Sequence, residues 1–227
     1  MTTNTRAIQA LASANPSTRL QAALALGTNP DHGYVGSLVD RCAIEPDFFV
    51  RENLTWALTR HPPELTVPRL VEELRSANPR ARSQALHTLS KIGDSAAWPA
   101  ITPELIADPD DEVARAAWRA AVVLAPATER PALAGRLRPQ LGRGVPETQL
   151  SLSRALLALA DAALPVLQAA RNDPDPAVRQ HAIATERLAR DPDAGFALAI
   201  EEAKRIVALD GAPAGEPSSQ GAGVGQA

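Results

Sequence analysis

The chain has 227 residues, of which 45% are hydrophobic and 3% aromatic, with a formal net charge of −3 and a single cysteine. This charge provides no overall basic field for nucleic acid, and one cysteine excludes an internal disulfide. No run reaches the ~20 apolar residues of a membrane helix, and no apolar signal region stands at the N terminus. We therefore expect a cytoplasmic protein without membrane contact, whose interior is built mainly of alanine, leucine and valine.

The first half of the chain predicts three pairs of helices. Apolar residues recur at helical spacing, Asn-Pro and Pro-Asp steps mark helix starts, and Gly27, Gly93 and the pair Pro62-Pro63 mark helix ends. The expected helices, in chain order, cover residues 6–12, 19–26, 35–43, 47–59, 65–77 and 78–93.

The second half continues the same pattern with one irregular unit. Helices are expected at residues 98–107, 113–124 and 129–141, another opens near Arg179, and a last one covers residues 194–209 as an end cap. Residues 211–227 consist almost entirely of small and polar residues, so we predict a disordered tail after an array that spans residues 1–210.

A repeat of 31 to 33 residues organises the whole array. Its reference position opens an apolar helical run and is occupied by Arg19, Arg51, Arg82, Arg115, Glu147 and Arg179. Four residues earlier stand Asn15, Asp47, Asn78, Asp111, Arg143 and Asp175. Because Arg143 and Glu147 exchange the usual charges, the pattern predicts a contact between the two positions within each turn, which is an ion pair where both residues are charged. The alternative is a coincidence in this one degenerate repeat. Such a period is typical of an all-α solenoid of stacked helix pairs.

Residues 173–182, Asp-Pro-Asp-Pro-Ala-Val-Arg-Gln-His-Ala, resemble the HEAT-repeat family, in particular its short bacterial class labelled phycobilisome-lyase-like. The resemblance covers about residues 5–209 and implies a right-handed α-solenoid of about six helix pairs. Residues 48–62 and 82–94, followed by Trp98-Pro99-Ala100-Ile101, are also similar to the HEAT segment that follows a MerR-type DNA-binding head in some bacterial regulators. We expect this chain to begin inside the repeats, without such a head. The resemblance therefore implies a helical scaffold that binds a partner.

The second helices of such pairs line the concave side, so their outward residues are the first candidates for a binding surface. Six positions on two adjacent helices combine amides, an aromatic ring, a histidine and cations: Asn53, Trp56, Arg60, Gln84, His87 and Lys91. This set suits a peptide backbone or an acidic segment of a partner. The alternative is a face that is polar only because water wets it, with Trp56 partly in the core.

The leading hypothesis is a non-catalytic scaffold for a protein or peptide partner, without cofactor or metal. A HEAT-like DNA glycosylase, using Trp56, Trp118 and Asp111, is an alternative that the scarcity of lysine disfavours. A chromophore-lyase component is a third, suggested by the family label alone. We expect Trp98 and Trp118 to be packing residues, and Phe48 and Phe49 to fill a gap between neighbouring pairs, with exposure of Phe48 to solvent as the alternative. The acidic turns around Asp108 and Asp173 allow a Ca²⁺ interpretation, but they are short, broken by proline and repeat with the helix starts, so we expect them to cap helices. No metal-ligand spacing or nucleophile motif is present.

Overall fold

The computed structural model describes residues 3–191 and 195–210, which form helices and turns without a β-strand. Its α-helices are α1 Thr3–Ala10, α2 Pro16–Thr28, α3 Val35–Ile44, α4 Phe48–Thr59, α5 Pro63–Glu73, α6 Pro79–Ile92, α7 Pro103–Ile106, α8 Asp111–Leu124, α9 Arg130–Leu137, α10 Pro146–Ala158, α11 Leu164–Ala170, α12 Pro176–Arg190 and α13 Phe196–Asp210. The predicted all-α class is confirmed. The predicted disordered tail, residues 211–227, lies outside the described residues.

The helices stack in pairs, and the second helix of each pair packs against the second helix of the next. Helices α2, α4, α6, α8, α10 and α12 thus form one continuous layer, and α13 covers its end by packing on α12. The first helices of the pairs lie together on one side of this layer; they are α1, α3, α5, α7, α9 and α11. The described part of the chain is therefore the predicted solenoid of six helix pairs followed by a cap.

The N termini of the second helices follow local sequence rules. Asn15, Asp47, Asn78, Asp110 and Asp175 are the N-cap residues of α2, α4, α6, α8 and α12, and the side chain of each accepts a hydrogen bond from a backbone amide two or three residues later. A proline follows the cap in α2, α6 and α12, at a position where a helix needs no amide donor. These caps fix where each second helix starts.

Small residues let the second helices approach closely. A Cβ atom on Gly27 of α2 would lie 2.5 Å from Cζ3 of Trp56 and 2.8 Å from Cα of Ala57, so only glycine fits between α2 and α4. In α8, five of the buried residues are alanines, and Trp118 beside them is fully buried, with Nε1 donating to the carbonyl of Ile106 at 2.9 Å. Trp118 is thus a packing residue, as predicted.

The first half of the fourth pair is less helical than predicted. In place of one helix over residues 98–107, a 3-10 segment at Ser95–Ala100 precedes the four-residue helix α7. Pro99 and Pro103 each remove a backbone amide donor, and a helix that ran through both could not complete its hydrogen bonds.

Candidate functional site

Four of the repeated arginines are anchored to the backbone of their own turns in the same way. In Arg19, Arg51, Arg82 and Arg179, Nη1 donates to the carbonyl oxygens five and six residues earlier, at 2.8 to 3.3 Å. The predicted ion pair within the turn does not form, because the acidic or amide partner is used elsewhere. Asp47, for example, accepts the amide hydrogen of Val50 as an N-cap, and Asn78 likewise accepts that of Arg80.

The exchanged pair Arg143 and Glu147 has a different explanation from the predicted one. Nε of Arg143 donates to Oδ1 of Asp111 at 2.9 Å, and Nη2 donates to the carbonyl of Asp108 at 2.6 Å. Glu147 is exposed and forms no ion pair within the described part of the chain. Arg143 therefore binds the turn of the preceding repeat and does not pair with Glu147.

Arg143 makes the contacts with the carbonyls of the turn before α8 that Arg115 does not make. Arg115 lies five residues after its N-cap Asp110, whereas Arg51 lies four residues after Asp47, so Arg115 is one position out of register. Its Nη1 donates to Glu112 at 2.9 Å, and its Nε is buried without a hydrogen-bond partner among the described residues. The carbonyls of that turn consequently accept from Arg143.

Two of the anchored arginines also bind a carboxylate in the turn of the next repeat. Nε and Nη2 of Arg19 donate to the two carboxylate oxygens of Glu45 at 2.7 Å each, and Arg82 holds Asp108 in the same bidentate manner at 3.0 and 3.2 Å. Burial alone would raise the pKa of Glu45, but hydrogen bonds from Arg19, the amide of Asp47 and Arg41 outweigh burial and lower that pKa to about 2. Glu45 is thus an ionised, buried cross-link.

We expected Asn53, Trp56, Arg60, Gln84, His87 and Lys91 to form one outward surface, and the structure exposes them to different degrees. Arg60 and Lys91 are exposed, Asn53 and His87 are half-buried, and Trp56 is 39% exposed. Trp56 lies against Gly27, so its ring is partly a packing group and partly a surface group. Asn53 donates to the carbonyl of Phe49 one turn earlier.

Gln84 does not belong to this surface. It is 8% exposed, and its amide donates to Oγ1 of Thr55 at 3.0 Å, beside the hydroxyl of Thr88. The polar interior between α4 and α6 therefore uses Gln84 as a hydrogen-bonding group. The prediction that Gln84 faces outward is wrong, because the layer of second helices closes over this position.

His87 is neutral at pH 7 in this environment. Burial is the main cause that lowers the pKa of His87, and the positive charges of Lys91 and Arg119 lower it further, against the carboxylate of Glu52, which raises it. Nε2 of His87 lies 3.2 Å from Oε1 of Glu52 without the alignment of a hydrogen bond. The imidazole is therefore a polar, uncharged group between α4 and α8.

Sequence reasoning assigned Phe48 and Phe49 to packing and allowed exposure only for Phe48. Phe48 and Phe49 do not fill a gap, as they are 58% and 70% exposed and contact each other edge to face with ring centroids 5.6 Å apart. Phe49 and Trp56 lie seven residues apart, which places both on one side of α4, while Val50 and Leu54 face the core. The helical period of the sequence carried this signal.

The described residues give no support for a catalytic or metal centre of the kinds considered. No three His, Cys, Asp or Glu side chains within residues 3–191 and 195–210 are grouped so that they could hold a metal ion. Trp118 is buried, and Asp111 is held by Arg143 and by the hydroxyl of Thr148, so neither residue is free for a glycosylase site. None of the helices in this part of the chain has both the length and the hydropathy required to cross a membrane.

Comparison with known proteins identifies the class. Residues 35–125, which contain α3 to α8, match the family described as HEAT repeats. Two structures of the karyopherin Kap121p, free and bound to the extreme C-terminus of the protein phosphatase Cdc14p, share the fold, with TM-scores of 0.58 and 0.59 and sequence identities of 19% and 20%. Both alignments cover 91% of this chain but only 25% of Kap121p, so the chain spans about a quarter of its length.

A complex of CpcE and CpcF of phycocyanin lyase from Nostoc sp. PCC7120 is also similar, with 19% identity, a TM-score of 0.48, and coverage of 91% of this chain and 95% of that chain. No curated protein sequence matches. The resemblance to HEAT repeats predicted from the sequence is confirmed, and the fold is that of a HEAT-repeat solenoid.

Proposed function

We propose that the chain is a non-catalytic scaffold that docks a segment of a partner protein on one surface of α4 and α6. This surface, called the α4–α6 face, consists of Phe49, Trp56, Arg60, His87 and Lys91. A fold of this kind accommodates such a segment, since one structure of Kap121p contains the C-terminus of another protein.

The exposure of aromatic rings on α4 carries the proposal. The chain has seven aromatic residues, three Phe, three Trp and one Tyr. Three of them, Phe48, Phe49 and Trp56, are exposed on this single helix, whereas Trp118 and Tyr34 are buried. Exposed aromatic rings lose the free-energy gain of burial, and grouped aromatic side chains are the usual anchors of protein interfaces.

The charges on the face favour a peptide over a nucleic acid. Arg60 and Lys91 are exposed cations beside neutral His87, and Glu52 contributes a negative charge next to them. Phosphate backbones require several clustered cations, because affinity depends on the number of counterions released. Two cations near aromatic rings instead suit an apolar segment that carries a few acidic groups.

A capture experiment with matched variants tests this function. The tagged chain, the double variant Phe49→Ala with Trp56→Ala, and the control Val145→Ala with Leu164→Ala are used as baits in native lysate, and each retained protein is then purified and titrated against all three. The control removes exposed apolar side chains that lie on other helices or turns. We expect one partner to lose affinity only for the Phe49/Trp56 variant. Equal affinity for both variants, or retention of nucleic acid alone, would contradict the proposal.

A further inference from the structure

The turns that precede the second helices share a hydrogen bond from the amide of the N-cap residue. Two residues before the N-cap, a side-chain oxygen accepts the amide hydrogen of the N-cap residue, at 2.9 to 3.3 Å, in five turns. The residue is a serine before α2 and α6 and an acid before α4, α8 and α12. In chain order the five are Ser13, Glu45, Ser76, Asp108 and Asp173.

Where this residue is Glu45 or Asp108, the arginine of the preceding repeat binds it. Arg19 and Arg82 each anchor Nη1 on two carbonyls and present Nε and Nη2 to both oxygens of the carboxylate. A guanidinium held in this way offers two parallel donors whose spacing matches a planar carboxylate. In two repeats of this chain, therefore, the edge of the arginine that carries Nε and Nη2 binds a carboxylate.

Arg51 has the same anchor and lacks the carboxylate. Its Nη1 donates to the carbonyls of Glu45 and Pro46 at 3.1 and 2.8 Å, as in the other turns. The next turn carries Ser76, whose hydroxyl accepts the amide of Asn78. Within the described residues, Nε and Nη2 of Arg51 make no hydrogen bond, and neither atom is among the buried polar atoms without a partner. The donor edge of Arg51 is therefore pre-oriented and accessible.

An open cavity of about 750 Å³ borders this arginine. Its lining includes Ile44, Arg51 and Asn78 from the two turns, and Arg80, Asp110 and Glu112 from the starts of α6 and α8. The cavity lies at the N-terminal end of α4, where the Phe48 ring centroid is 5.9 Å from Cζ of Arg51. An apolar contact and an unpaired cation thus stand next to each other.

Both acids in the lining already accept hydrogen bonds from other groups. The carboxylate of Asp110 accepts the amides of Glu112 and Val113 at 2.9 and 3.2 Å, and that of Glu112 accepts from Arg115. The side chains of Arg51 and Arg80, by contrast, form no ion pair in the part of the chain that the structure describes. Within the described residues, Arg51 and Arg80 are therefore the lining cations that have no ion-pair partner.

We propose that this cavity binds an Asp or Glu side chain of the docked partner segment, with Nε and Nη2 of Arg51 holding both carboxylate oxygens and a neighbouring apolar residue of the segment lying on Ile44 and Phe48. The proposal rests on the protein-binding role proposed above and names the chemistry of the segment. An acidic side chain is the source of the carboxylate, because Glu45 and Asp108 fill the equivalent sites in this way.

The test uses a displayed library of random peptides with blocked C termini, selected on the full chain. Selections are repeated on Arg51→Lys, which keeps the charge but cannot form the bidentate contact, and on Arg179→Lys, which disturbs an identical backbone anchor at the far end of the array. The best peptide and its Gln or Asn counterpart are then titrated against all proteins, including the Phe49/Trp56 double-alanine variant.

We expect wild type and Arg179→Lys to select peptides with an acid next to an apolar residue. Replacing that acid by its amide, or Arg51 by Lys, should weaken binding about tenfold or more. Selection of acid-free peptides, equal affinity for Arg51→Lys, binding only through a free C terminus, or no enrichment would overturn the proposal. If Arg51→Lys loses affinity and the Phe49/Trp56 variant binds as tightly as the wild type, the carboxylate site at Arg51 is supported. The same result would contradict docking on the α4–α6 face.

Discussion

The turn before α4 and the turn before α6 are built alike, yet only in the first does an arginine of the preceding repeat bind a carboxylate. Both end in an N-cap, Asp47 or Asn78, and in both a side-chain oxygen two residues earlier accepts the N-cap amide. In the first turn this oxygen belongs to Glu45, which also accepts Arg19. In the second it belongs to Ser76, and no carboxylate meets Arg51.

This difference shows how one residue decides whether a repeated arginine is structural or available for binding. The anchor on backbone carbonyls is the same in Arg19 and Arg51, so the orientation of the guanidinium is supplied by the repeat. A carboxylate closes the turn and buries the charge, whereas a serine leaves the charge open beside exposed Phe48. The predictions below change the closed turn first and the open turn last.

The largest effect is expected from opening the closed turn before α4. The side chain of Glu45 is fully buried and that of Arg19 is 6% exposed, so Glu45→Ala leaves Arg19 as an unpaired buried charge. We expect the free energy of unfolding to fall by about 3–5 kcal/mol in urea titration at pH 7. The control is Glu201→Ala, which removes an equally short but exposed pair with Lys204 and should cost under about 1 kcal/mol. Similar losses in the free energy of unfolding of Glu45→Ala and Glu201→Ala would show that the pair of Arg19 and Glu45 does not cross-link the two repeats.

The turn before α10 is joined to α12 through neutral His181. Burial lowers the pKa of His181 to about 4, against a hydrogen bond to the carbonyl of Gln149 that raises it, and Nδ1 accepts the amide of Gly142 at 2.9 Å. Because the pKa is lower in the folded than in the unfolded chain, stability is complete above pH 6.5 and falls as the pH drops towards 4. This group should contribute a loss of about 3 kcal/mol across that window.

Urea titrations of wild type and His181→Gln at pH 7, 6, 5 and 4 isolate this contribution, since the glutamine does not titrate. We expect the wild type to lose more stability than the variant as the pH falls. Parallel pH profiles for the two proteins would show that His181 is not held neutral by the turn.

A smaller effect separates Arg143 from Glu147. Arg143→Ala removes bonds to Asp111 and to the carbonyl of Asp108, and we expect it to cost about 2 kcal/mol. Glu147→Ala removes an exposed side chain and should stay within about 0.5 kcal/mol. Thermal and urea unfolding of both variants measure the difference. A larger loss of stability in Glu147→Ala than in Arg143→Ala would support an ion pair between these two residues within the turn.

The smallest effect on stability is expected from closing the open turn. Ser76→Asp places a carboxylate at the position that Asp108 occupies in the turn before α8, within reach of the donor edge of Arg51. We expect a gain of about 1 kcal/mol in the free energy of unfolding, measured by urea titration. The same substitution in the Arg51→Lys background should bring less. A gain that is independent of residue 51 would mean that the new carboxylate acts only as a helix-start charge.

Local rules predicted what depends on a few neighbouring residues. The caps Asp47 and Asn78, the stop at Gly93 and the packing role of Trp118 follow from short-range patterns, and so does the number of helix pairs. Contacts between repeats were beyond these rules. Gln84 and Asn53 occupy equivalent positions, but only Gln84 is covered by the helix layer and bonded to Thr55.

The arginine network was misassigned for a related reason. Arg19 meets Glu45 across 26 residues and Arg143 meets Asp111 across 32, so the charge pattern within one turn does not reveal either partner. The exposure of Phe49 could have been predicted, because its seven-residue spacing from Trp56 places these two residues on one side of α4.

The affinity of a selected acidic peptide for Ser76→Asp tests the central claim most directly. This variant supplies the missing carboxylate from the chain itself and leaves Arg51 unchanged. Ser83→Asp adds the same charge to the wall of the same cavity and serves as the control. We predict that Ser76→Asp loses peptide binding while Ser83→Asp loses much less of it. Unchanged binding to Ser76→Asp, or equal losses in both variants, would contradict the assignment of Arg51 as the carboxylate-binding group.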